Sequence, residues 1–175
     1  MAGFGIFKVV TQILEHPHRE ILMETPIVEL EELTEPETER FLDLVMNPGT
    51  ISPAKAHTPV HFSYEGRDFQ FTHIHDLRRR ITFDTHPTRF LRHFLVRYRD
   101  ALKSLKAGDD ESVTSLIRRI DGILGSTFLK DVGVLGQVST NHNVLRKDPH
   151  YREILRAHVA LGQLTSRSKA NVKAE

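Results

Sequence analysis

The chain has 175 residues, a net charge of +1 and no cysteine, which excludes disulfides, thiolate nucleophiles and cysteine-ligated metal centres. Its length fits one domain of ordinary size, and no apolar run approaches the roughly 20 residues a membrane-spanning helix needs. The near-zero charge hides an asymmetry: residues 20–44 hold nine acids against Arg40 alone, and residues 76–106 hold nine Lys and Arg against three Asp.

In chain order, an amphipathic helix is predicted over residues 4–15, with Phe4, Phe7, Val10 and Leu14 on one face; the pair Val9–Val10 leaves a strand alternative open. Lys8 and Gln12 interrupt this stretch and no small-residue cleavage site comes after it, so no secretory signal is expected. Pro17 and Pro26 confine the next segment to a short helix around residues 18–23, and residues 27–33 fit either helix or strand. Thr34 as N-cap, Pro36 in the first turn and Glu37 three residues on read as a capping box, with Phe41, Leu44 and Val45 as the apolar stripe and Asn47-Pro48-Gly49 as the stop. One β-hairpin is predicted at residues 60–74: Val60, Phe62 and Tyr64 alternate with polar residues, Glu65-Gly66-Arg67-Asp68 turns, and Phe69, Phe71 and His73 alternate again. A lone hairpin is marginal in water, so its Phe-rich face must pack on helices or a third strand.

The longest helix is predicted over residues 87–106, capped by Thr85 or Asp84 and ended by Gly108. Phe90, Phe94, Tyr98, Leu102 and Leu105 make its apolar side, widened by Leu91 and Leu95. A further helix starts after Asp109 or Asp110 and ends near Gly122 and Gly125. Residues 126–143 read as loop. Asp148 as N-cap and Pro149 at the first helical position open a last helix reaching about Leu161. The fold class is therefore α+β, mostly helical, with about five helices and the one hairpin. Residues 1–164 are expected to form a single helical domain with a hairpin insertion, and residues 165–175 a mobile basic tail.

His73-Ile74-His75-Asp76 is the one constellation that looks like a site, since alternate residues of a strand point the same way and two imidazoles there can share a metal ion. The third ligand that hydrolase and cupin patterns require is missing: Leu77, Arg79 and Arg80 occupy the relevant places. Neither a phosphate-binding loop nor a nucleophile elbow occurs. No catalytic residue, cofactor or metal is assigned, with His73 and His75 kept as weak metal candidates. Eleven His permit sensitivity to pH near neutrality.

The basic block is the better candidate. Arg78, Arg79, Arg80, Arg89, Arg92, Arg97 and Arg99 offer planar forks suited to carboxylate or phosphate. The expected role is that of a structural or interaction protein, an accessory subunit binding protein partners in a larger intracellular assembly, cytoplasmic or organellar (mitochondrial, for example). The alternatives are RNA or DNA binding through the Arg-rich block 78–106, and a small metal-dependent enzyme at His73 and His75. Whether the acidic and basic blocks pair within the fold stays open at this point.

Overall fold

The computed structural model describes residues 3–55, 61–105 and 110–172. In chain order its elements are α1 (Gly3–Glu15), β1 (Glu20–Glu24), β2 (Ile27–Glu29), α2 (Phe41–Val45), β3 (Ile51–Pro53), β4 (His61–Tyr64), β5 (Arg67–Phe71), β6 (His73–His75) and β7 (Arg78–Thr82). They continue with α3 (His86–Leu105), α4 (Glu111–Ser126), α5 (Asn143–Lys147) and α6 (Pro149–Val172). The class is mixed α+β, with six α-helices and seven short strands among the described residues, so the strand content exceeds the single hairpin expected. Two compact units divide these elements: Ile21–Ile81 is one, and Met1–Glu20 with Thr82–Glu175 the other.

The second of these units is helical. Phe7, Val10 and Ile13 of α1, Phe90, Leu91, Phe94 and Leu95 of α3, Ile120 of α4, Leu145 of α5 and Ile154 of α6 are buried together. Burying side chains of this size contributes about 1.5–3 kcal/mol each. The helix starts arise from local chemistry. Asp110 caps α4 by accepting from the Ser112 and Val113 amides, and Asp148 does the same for His150 and Tyr151 at α6. Thr85 stands immediately before α3, where its amide donates to Thr88 Oγ1 at 3.0 Å. α6 continues to Val172, past residue 165, where the sequence predicts a tail. The predicted end of α3 at Lys106 and Gly108 lies outside the described residues.

The Ile21–Ile81 unit corrects the sequence reading at three places. Residues 20–24 are a strand paired with β7, not a helix; bracketed by Pro17 and Pro26, the segment is too short to hold a helix by its own hydrogen bonds. Thr34 is no N-cap: its amide, with that of Glu35, donates to Asp76 Oδ1 at 3.0 and 2.7 Å. Glu37 caps instead, accepting from Glu39 in a single 3-10 turn that leads into the five-residue α2. The hairpin arm also ends at Phe71. At Thr72 the chain changes partner, donating to the Thr50 carbonyl and accepting from the Leu30 amide. Residues 73–75 then form β6, antiparallel to β2 with Val28 opposite Ile74. The predicted loop 126–143 holds one 3-10 turn, Phe128–Lys130, and leads directly into α5.

Candidate interaction surface

Strand alternation builds this surface. In the three-stranded sheet β3-β5-β4, Phe62 lies opposite Phe69 and Ile51 opposite Phe71, so Ile51, Phe62, Tyr64, Phe69 and Phe71 share one face. The opposite face carries Ser52, Ser63, Asp68 and Gln70. The hairpin's Phe-rich side thus gains both a third strand and a helix, as its apolar content demands. From α2, Phe41 stacks on Phe71 with centroids 5.6 Å apart, and Leu44 is buried beside Ile74.

α2 is only five residues long and covers only part of that face. Beyond it an apolar groove of about 390 Å³ remains open, lined by Val45, Ile51, Phe62, Tyr64 and Phe69. On the outer side of α2, Leu42 is 77% and Met46 83% exposed, and Tyr64 at the groove's end is 63% exposed. Single exposed apolar residues are ordinary, but a lined groove flanked by three large ones in a unit of this size is not. A second exposed feature is the ribbon of β1 and β7. All five β1 residues are exposed, Ile21, Leu22 and Met23 among them. It is a two-stranded sheet, so the outer edge of each strand has no strand partner among the described residues.

Of the arginines singled out by sequence, the four on α3 belong to the helical unit, and Arg78, Arg79 and Arg80 to the Ile21–Ile81 unit. Arg78 donates to Asp76 at 2.8 Å, Arg79 makes a bidentate pair with Glu35, and Arg80 lies 3.9 Å from Glu24. The acidic and basic blocks therefore meet inside this unit through two of these three. On α3, Arg89 pairs with Asp84, Arg99 with Asp100 and Asp121, Arg92 donates to the Val132 carbonyl, and Arg97 lies 3.5 Å from His158. Each of the seven has a polar partner in its own chain. Phe90 and Phe94, interleaved with the α3 arginines, are core residues.

His73 and His75 sit on β6, where His73 Nδ1 lies 3.0 Å from Thr72 Oγ1 and the nearly buried His75 Nδ1 lies 3.3 Å from the Thr25 carbonyl. No group of three His, Asp or Glu suited to a metal ion occurs among the described residues. Asp76, the third member of the motif, is fully buried and holds the chain together. It accepts from Arg78 and from the Glu35 and Thr34 amides, which pull its carboxyl down to about 2. Sequence reasoning did not anticipate the groove, because nothing local to residues 41–46 tells how little of the sheet they cover.

No helix among the described residues is long and apolar enough to cross a membrane. A family model described as a domain of unknown function, DUF2357, matches residues 6–158. Comparison with curated proteins and with solved structures gives no match.

Proposed function

The chain belongs to the DUF2357 family, and we propose that it is an interaction module, an accessory subunit that docks a protein partner within a larger assembly. One observation carries this reading: the aromatic face of the β3-β5-β4 sheet is left partly open beside α2, with Leu42 and Met46 pointing away from the core. A partner that lays an apolar segment in this groove removes Tyr64, Phe62 and Phe69 from water; large aromatics of this kind dominate interface energetics. In this reading Arg78, Arg79 and Arg80 on β7 are a second, charged contact. They are 48%, 53% and 73% exposed; the pairs of Arg79 and Arg80 are solvated on both sides, so a partner's carboxylates can exchange for Glu35 and Glu24, while Arg78 keeps its bond to the buried Asp76. Such contacts tune approach and specificity more than affinity. The α3 arginines, held by neighbours along and beside that helix, contribute less to association.

The test compares the wild-type chain with Leu42→Glu and Met46→Glu, substitutions at positions that leave the core untouched. Size-exclusion chromatography from native extract, with mass spectrometry of the co-eluting species, is expected to show an assembly that both variants lose while their melting midpoints stay unchanged. Elution at the size of one chain at every salt concentration overturns the reading, as does an assembly indifferent to both charges. Nucleic-acid binding predicts a different outcome. Affinity for an oligonucleotide then falls steeply with salt and with Ala at Arg78, Arg79 and Arg80, while Leu42→Glu has no effect.

A further inference from the structure

The helical unit carries a separate cleft with the opposite character. It is about 160 Å³, lined by Arg89, Arg92, His93 and Val96 of α3 and by Gly133, Val134 and Leu135. Two guanidinium groups in one small cleft are held still by bonds that leave donors over. Arg89 gives Nε and Nη2 to the Asp84 carboxylate at 2.7 and 2.8 Å. The Gly133 amide donates to the same carboxylate at 2.8 Å. The chain passes close to the guanidinium at Gly133, where a Cβ would stand 3.3 Å from Arg89 Nε. Arg92 gives Nη1 to the Val132 carbonyl. A guanidinium has five N–H donors, so Nη1 of Arg89 and Nε and Nη2 of Arg92 remain outside these bonds.

We infer that this cleft binds a small aliphatic monocarboxylate, its carboxylate on Arg92 and Arg89 and its alkyl body on Val96, Val134 and Leu135. Three observations select that chemistry. Asp84 balances Arg89, leaving close to one positive charge, which suits a monoanion better than a phosphate dianion. The planar fork matches a carboxylate's two oxygens. The rest of the wall beside His93 is aliphatic, and Val134 is 81% exposed. His93 is biased toward its neutral form, since burial and then Arg97 push its pKa down.

Isovalerate, acetate and inorganic phosphate, titrated separately into the full chain and followed by arginine side-chain NMR signals, test it. Saturable shifts at Arg89 and Arg92 are expected, with isovalerate tighter than acetate and phosphate weakest. Arg92→Gln is expected to lose about tenfold or more in isovalerate affinity, the scale of a charge-assisted pair, and Arg99→Gln none. Because Arg92 also secures the Val132 carbonyl, Val134→Ser at an exposed position is the second variant; it should weaken isovalerate more than acetate. Equal affinity for all three anions, shifts that never saturate, or a Val134→Ser variant that binds isovalerate as the wild type does would each overturn the assignment.

Discussion

Asp76 shows how one residue can look like chemistry and act as a fastener. Its carboxylate is enclosed by two backbone amides and the Arg78 guanidinium, and its own amide donates to the Pro26 carbonyl at 2.9 Å. Backbone bonds on either side, Leu77 to Glu35 and Glu37 to His75, continue the seam. Asp76→Asn keeps the shape but sets an amide NH2 against donors, and a buried donor without an acceptor costs the full desolvation of that group. The variant is expected to melt well below wild type, whereas Arg79→Ala, which loses one solvated ion pair, changes the midpoint little. Equal losses would show that the seam is not what holds this unit. In the helical unit the ranking is set by packing. Phe94 is 1% exposed, and Phe94→Ala is expected to cost about 3–5 kcal/mol. Arg99→Ala is expected to cost under about 1 kcal/mol, as solvated pairs do. Denaturant titration of both variants separates the two figures.

The β4–β5 hairpin turns through two residues, since Tyr64 lies opposite Arg67. Both central residues have positive φ, Glu65 at 50° and Gly66 at 72°. Paired left-handed residues are the tight turn that matches the twist of the strands, and Asn-Gly fits it best. Glutamate there is strained by its Cβ, so Glu65→Asn is expected to stabilise the hairpin unit by about 0.5–1 kcal/mol; a lower denaturation midpoint would contradict the turn. Legibility from sequence obeys the same local logic. The starts of α4 and α6 were legible because Asp110 and Asp148 satisfy amides two and three residues away. The hairpin was legible because its partners are neighbours. β1, β2, β6 and β7 were not, because Ile27 finds its partner at His75 and β1 at β7, far along the chain. The apolar side of the candidate surface was equally plain in the alternation of Phe62, Tyr64, Phe69 and Phe71. Its exposure was not, since that depends on α2 stopping after five residues.

Across the whole molecule, the ionisable groups divide the response to pH between the two units. His93, His142 and His158 all belong to the helical unit, and the pKa of each is pushed below its ordinary value. Burial is the first cause for all three. Arg97 adds to it at His93, Arg97 and then His93 at His158, and His86 and then His18 at His142, where Glu20 opposes. The packing agrees: His142 stacks on His86 at 4.7 Å, and His158 lies between Phe90 and His93. A histidine with a depressed folded pKa binds fewer protons than it does unfolded. Stability then rises with pH through this range, is complete above the unfolded value of about 6.5, and is lost as pH falls below it. In the Ile21–Ile81 unit the buried group whose pKa is shifted is Asp76, held at about 2. Its contribution is present above the unfolded carboxylate value and disappears only in strong acid. Lowering pH from about 7.5 to about 5 should therefore reduce the thermal midpoint of helix-sensitive circular dichroism. The hairpin's Tyr64 environment, followed by NMR at a fixed moderate temperature, should hold over the same range. His142→Gln and His158→Gln should each narrow the difference between the two midpoints, because each removes one proton taken up on unfolding. A midpoint that stays constant or rises on acidification would mean that these imidazoles are not buried as neutral groups in the folded chain.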